Sequence, residues 1–138
     1  MEEIKIPADI TQLDEVIQFI DGQLDKIECS MKTRMQIDVA VEELFVNIAH
    51  YAYPAGEGIA IIRFSFECET NTITICFLDN GVPYDPLAKE DPDTSLSSQE
   101  RSIGGLGIFL VKKTMDDVIY EYRDEQNILI IQKYIPQL

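Results

Sequence analysis

No proline or glycine interrupts the chain from Val39 to Tyr53, and the first breaker after it is Pro54. Apolar residues at 37, 41, 44, 45 and 48 recur at helical spacing, so the stretch reads as a helix with a buried face. On this helix the sequence sets Glu43 and Asn47, four apart and therefore one turn above each other. A carboxylate and a carboxamide on a mostly apolar helix are costly to bury unless something polar meets them. The helix is thus a core element and also the first place to look for chemistry.

The flanking segments supply the rest of an α+β pattern. Residues 2–6 alternate weakly and predict a short edge strand ended by Pro7. Asp9 or Thr11 caps a helix that carries Leu13, Val16, Ile17, Phe19, Ile20, Leu24 and Ile27, with Gly22 tolerated inside it. Ser30 caps the second helix, roughly 31–52. Two strands follow. Ile62, Phe64, Phe66 and Cys68 face one way on the first, and Ile73, Ile75 and Phe77 alternate with Thr72, Thr74 and Cys76 on the second. Residues 80–103 are rich in Pro, Gly and Ser and lack periodicity; a loop this long in a small chain is most often a functional lid or an insert. A short helix near 105–115 and two strands, 117–123 and 127–135, complete the order β-α-α-β-β-loop-α-β-β. That order predicts one domain over 1–138, a two-layer α/β sandwich with helices on one face of a mixed, mainly antiparallel sheet.

Composition removes several alternatives. A net charge of −14 opposes binding to phosphate backbones, so no nucleic-acid partner is expected, although a basic protein surface would suit. No apolar run is long enough to span a membrane, and the N-terminal residues lack a signal-peptide pattern, so a cytoplasmic location is expected. Cys29, Cys68 and Cys76 are odd in number and form no C-x-x-C pair, which argues against structural disulfides and zinc.

Three motifs carry candidate chemistry. In Glu43-x-x-x-Asn47, the amide oxygen is a hard ligand suited to Mg²⁺, and the carboxylate could accept a proton from a nucleophile. The same pair also fits a solvated helix edge. Asp79-Asn80-Gly81-Val82-Pro83 ends an apolar strand; Asp79 there can accept from an exocyclic amine such as that of adenine, and Gly81 would let a flat ring approach the backbone. It reads equally as a plain turn. Arg101-Ser102-Ile103-Gly104-Gly105-Leu106-Gly107 places three glycines ahead of a helix, where bare N–H groups and the helix dipole favour an anion; Arg101 adds a cation. The spacing is neither that of a Walker A loop nor that of a dinucleotide fingerprint.

Taken together and in this order, the motifs resemble the N box, the Asp-x-Gly box and the glycine-rich box of the GHKL (Bergerat-fold) ATPase superfamily. Asn47-Ile48-Ala49-His50-Tyr51-Ala52-Tyr53, Asp79 to Pro86, and Gly105 to Val111 are similar to the branch of small bacterial anti-sigma factors that are also serine-protein kinases. The resemblance covers essentially the whole chain. It implies an ATP site between the helices and a lid at about 82–103. Asn47 is then the Mg²⁺ ligand and Glu43 the general base. Asp79 binds adenine beside Gly81, while Gly104, Gly105, Leu106 and Gly107, with Arg101, surround the phosphates. It also implies a small anti-anti-sigma-type partner bearing the acceptor serine, a sigma factor, and a homodimer.

Two positions depart from that pattern. Many relatives carry His four residues after the asparagine, where this chain has Tyr51 and places His50 one earlier. Many also carry a Thr in a late strand near the adenine, whereas 127–131 reads Asn-Ile-Leu-Ile-Ile and leaves adenine to Asp79 and water. The leading reading is an ATP-dependent serine kinase acting on a regulatory protein. The alternatives are an ATP-dependent binding module without phosphotransfer and a histidine-kinase-like catalytic domain.

Overall fold

The computed structural model describes residues 1–88 and 103–136, with the backbone alone for 103–106. The long helix is α2, Met31–Tyr51, and it begins where the sequence places its cap: Ser30 Oγ accepts from the Thr33 N–H at 3.1 Å. Such a cap contributes about 1 kcal/mol by satisfying a donor that the helix itself leaves open. Ile37, Ala40, Val41, Leu44, Phe45 and Ile48 form the buried stripe of α2, and Asn47 is buried within it. Helix α1, Leu13–Leu24, runs through Gly22 and buries Val16, Ile20 and Leu24. Asp9 caps a short 3₁₀ turn, Ile10–Gln12, that precedes α1, rather than α1 itself.

The strands are β1 (Glu2–Pro7), β2 (Ile59–Glu67), β3 (Thr72–Asp79), β4 (Asp117–Arg123) and β5 (Gln126–Tyr134). They form one sheet in the order β1-β2-β3-β5-β4. All four pairings are antiparallel, so the expected mixed sheet is here antiparallel throughout. Hairpins join β2 to β3 and β4 to β5, and no described connection between neighbouring strands requires a crossover that would make them parallel. The β4–β5 turn sets both Asp124 (φ 55°) and Glu125 (φ 61°) in the left-handed region, as a type I′ hairpin requires. That turn fixes Tyr122 opposite Asn127.

The three helices pack on one face of the sheet. Phe64, Ile73, Ile75, Phe77, Leu129 and Ile131 meet α1, α2 and Ile108 and Val111 of α3 in a continuous core. Helix α3 spans Ile103–Thr114 and therefore starts ahead of the expected 105. Cys68 departs from the sequence reading: β2 ends at Glu67, and Cys68 lies exposed in the following turn instead of on the apolar face.

Candidate active site

The end of β3 and the last turns of α2 are held together by backbone and by Tyr53. The Val82 N–H donates to the Ala52 carbonyl at 2.8 Å, and Tyr53 Oη accepts from Asn80 N–H (2.9 Å) while donating to the Ile59 carbonyl (2.7 Å). Gly81 sits in this junction. A Cβ there would lie 2.1 Å from the Ala52 carbonyl oxygen. The glycine is therefore demanded by the helix end, a constraint that applies with or without the flat ligand expected from the sequence.

This junction places Asp79 and Asn47 on one cavity of about 30 Å³, which Tyr84, Pro86, Tyr120 and Asn127 also line. Asp79 is 5% exposed. Burial pushes its carboxyl up from the usual range, opposed by hydrogen bonds from Asn127 and Gly81. Both donors reach the same oxygen: Asn127 Nδ2 and the Gly81 N–H lie 2.8 and 2.9 Å from Asp79 Oδ1. Oδ2 takes neither of these two bonds. Asn47 donates Nδ2 to the Glu43 carbonyl at 3.0 Å, which fixes its amide and leaves Oδ1 as the hard donor. The described residues hold no cluster of three or more His, Cys, Asp or Glu that could cage a metal. The Asn47 amide oxygen is a hard donor of the kind that suits Mg²⁺, which binds through one or two protein oxygens and completes its shell with water and phosphate.

Glu43 lies one turn before Asn47, half-buried, and its carboxylate packs against Gly107 of α3. Gly104, Gly105 and Leu106 belong to the first turn of α3, not to a loop ahead of it, and Gly107 already lies in the helix. The first N–H groups of any helix have no partner within the helix itself, so this turn keeps the anion-binding character expected of the glycine segment. Arg101 lies outside the described residues, as does most of the expected lid. His50 is exposed and lines a separate cavity with Asp9, Gln12 and Glu57; it does not join Asn47. Tyr51, which occupies the position of the expected histidine, stacks on Tyr84 with ring centroids 4.8 Å apart and planes 22° apart.

Asn127 is the residue that motif reading missed. It is 5% exposed, and its amide is used in full. Nδ2 donates to Asp79 Oδ1 and to the Val82 carbonyl, each at 2.8 Å, and Oδ1 accepts from the Tyr84 N–H at 3.2 Å and from Tyr120 Oη. Residues 127–131 hold no Thr, as the sequence shows, and register instead sets Asn127 directly opposite Asp79. The signal in the sequence was one amide ahead of four apolar strand residues. Its partner becomes visible only once the β3–β5 register is known. The same contacts draw residues 82–88 onto the cavity, whose volume admits a water or two and not a purine.

Residues 6–133 match the family model described as the histidine kinase-like ATPase domain. The chain is similar to the serine-protein kinase RsbW of Staphylococcus aureus, with 24% identity over 139 residues, covering 96% of this chain and 86% of that protein. Among solved structures, the RsbU and RsbW domains of a Mycobacterium tuberculosis protein superpose with a TM-score of 0.66 at 10% identity, over 100% of this chain. This chain spans about a third of that one, 34%. The catalytic domain of the histidine kinase ThkA superposes with a TM-score of 0.51 at 17% identity, covering 99% of this chain and 97% of that domain. At these identities the superpositions establish the fold.

Proposed function

The chain belongs to the histidine kinase-like ATPase domain family, and from that premise we propose that it is a regulatory protein serine kinase using ATP and Mg²⁺. The observation that carries the reading is the convergence of Asn47 and Asp79 on one cavity, with Glu43 one turn away against the start of α3. The similarity to RsbW supports a serine acceptor.

In the proposed reaction Asp79 Oδ2 accepts from the exocyclic amine of adenine. The amide oxygen of Asn47 holds Mg²⁺, which when bound neutralises phosphate charge. Gly104, Gly105, Leu106 and Gly107 present the N-terminus of α3 to the phosphates, with Arg101 as the adjoining cation. An acceptor serine hydroxyl attacks the γ-phosphorus, and its proton passes to the Glu43 carboxylate. The bond from the γ-phosphorus to the β–γ bridging oxygen breaks, giving phosphoserine and ADP. Positioning and charge neutralisation supply most of the rate, as in other phosphoryl transfers. The whole chain, 1–138, acts as one ATPase domain with its lid at about 82–103.

The proposed partners are a small anti-anti-sigma-type protein bearing the serine, a sigma factor held in the alternate state, and a second copy of the chain. The proposed setting is the cytoplasm; no described helix is long and apolar enough to cross a membrane. The deciding experiment incubates the chain with γ-labelled ATP, Mg²⁺ and a candidate anti-anti-sigma-type protein. Acid-stable label on the partner's serine is the expected result. Tight Mg-ATP binding with no transfer would sink the kinase and leave an ATP-dependent binding module. Acid-labile label on this chain would instead point to histidine-kinase chemistry.

A further inference from the structure

Helix α2 is apolar on two faces. One carries the core stripe described above. On the other, Met31, Met35 and Val39 stand four apart, one turn above another, and are 70%, 61% and 47% exposed. None of the three packs into the core formed by the described residues. A helix that is apolar all round is ordinarily buried all round, so this outer stripe calls for an occupant.

Helix α3 widens the stripe. The hydrogen bond from Val82 to Ala52 sets the C-terminal end of α2 at the Asp79 end of the sheet. The C-terminal end of α3 lies at the opposite end, where Lys133 Nζ donates to the Thr114 carbonyl and the Asp116 N–H donates to the Gln132 carbonyl. The two helices are therefore antiparallel, and the approach of Gly107 to Glu43 fixes their register. One turn further along α3 is one turn back along α2, so Leu110, 42% exposed, falls level with Val39.

Charge identifies the occupant. The chain carries −14, yet residues 31–37 of α2 hold Lys32 and Arg34 with no acid, and α3 holds Lys112 and Lys113 with no acid. Arg34 is engaged by Asp25 at 2.8 Å. Lys32 and Lys113 are exposed, three residues from Met35 and Leu110 respectively, and border the strip. Glu42 ends it toward the nucleotide cavity. An apolar strip with a basic border suits an amphipathic segment whose polar face is acidic. Two antiparallel helices present the groove that such a segment fills as a third helix, and methionine side chains adapt readily to a partner's apolar face. An extended anionic surface such as a membrane fits less well, because it would also meet the acids that surround the strip.

We infer that the outer strip of α2 and α3, formed by Met31, Met35, Val39 and Leu110 and bordered by Lys32 and Lys113, docks an acidic amphipathic helix of a partner protein. The strip is separate from the Asn47–Asp79 cavity and engages its partner without nucleotide or phosphotransfer.

Fluorescence anisotropy tests this with a labelled model helix, leucine at i, i+3, i+4 and i+7 and glutamate elsewhere. No nucleotide is present, so the outcome is separate from the kinase assay. The acids of the rest of the chain repel this probe. Saturable binding in the micromolar range, weakened by salt, is expected. Met35→Ser should weaken it about tenfold through lost apolar contact. Lys32→Glu/Lys113→Glu should weaken it by roughly tenfold or more through charge reversal. All three positions are exposed, and circular dichroism checks that the fold survives. No saturable binding of the acidic helix overturns the proposal. So does binding that is indifferent to these substitutions, or that is matched by a probe with serine in place of leucine. Co-sedimentation with phosphatidylglycerol vesicles that the same substitutions abolish would also overturn it, by making the strip a membrane contact.

Discussion

The Glu43 carboxylate occupies the space that a side chain on residue 107 would need: a Cβ built on Gly107 would fall 1.9 Å from Glu43 Cδ and 2.1 Å from Oε1. The glycine thus allows α3 to close on α2 at the carboxylate proposed as the base. The clash involves the tip of a flexible side chain, so Glu43 would swing away and the helices would remain packed. Gly107→Ala should therefore slow phosphotransfer by ~10²-fold or more, as removal of a general base does. The expected change in melting temperature is small. Single-turnover transfer and thermal denaturation read the two effects separately, and a large drop in stability with normal transfer would contradict the assignment.

Asn47 and Glu43 should separate in a binding assay. Asn47→Ala removes the amide oxygen that lines the cavity and should weaken Mg-ATP binding. Glu43→Gln should leave the affinity nearly intact and lower the transfer rate by ~10²-fold or more. Calorimetry of Mg-ATP binding beside a transfer assay decides the point. Equal, small effects from both variants would return the pair to a solvated helix edge.

Asn127→Ala should cost both stability and affinity. Asp79 would lose one of the two donors that oppose its burial, and the Val82 carbonyl would lose its donor from Asn127 as well. Leaving such buried groups unsatisfied costs about 1–3 kcal/mol. Chemical denaturation reads the loss, and adenine nucleotide titration should show weaker binding. An unchanged denaturation midpoint would mean that water replaces the amide.

Tyr84 holds residues 82–88 over the cavity. Its N–H donates to Asn127 and Tyr120, and its ring stacks on Tyr51. A cavity of about 30 Å³ must open before a base can enter. Tyr84→Ala removes an aromatic pair worth about 0.5–1.5 kcal/mol and should raise the nucleotide association rate severalfold. Stopped-flow binding checks this; an unchanged or slower association rate would mean that the stacked pair does not limit entry.

Asp38 on α2 faces Asp21 on α1. Each has a buried Oδ1 with no hydrogen-bond donor among the described residues. A proton on Asp38 would supply a donor between the two carboxyl groups. Burial, followed by the neighbouring Asp21 carboxyl, pushes Asp38 up from the ordinary 3.8 to about 7, against the pull of Arg34. The folded chain therefore binds a proton that the unfolded chain releases at about 4. Stability should be greatest on the acid side of this window and fall as pH rises from about 4 to about 7. Asp38→Asn should flatten that fall, raising the melting temperature at pH 8 relative to wild type while changing it little at pH 5. Melting curves with the same pH slope in both proteins would count against a proton held on Asp38.

Much of this protein was legible in its sequence because local rules were obeyed. Helical spacing in the uninterrupted run from Val39 marked the helix that ends at Tyr51, Ser30 capped it where hydroxyl chemistry predicts, and alternation marked β2 and β3. Asn47 and Asp79 were identifiable because polar groups in apolar elements demand a partner. What tertiary structure decided was which groups meet. Asn127 became the partner of Asp79 through β3–β5 register, Gly81 was required by the close approach of the Ala52 carbonyl, and Gly107 leaves room for the Glu43 carboxylate. The strip joining Met35 and Val39 of α2 to Leu110 of α3 likewise exists only once the two helices lie side by side. Propensity, capping and alternation act over a few residues and are written in the sequence. Register and close packing join residues 48 or 64 positions apart, and the energy that selects them belongs to the assembled sheet and core.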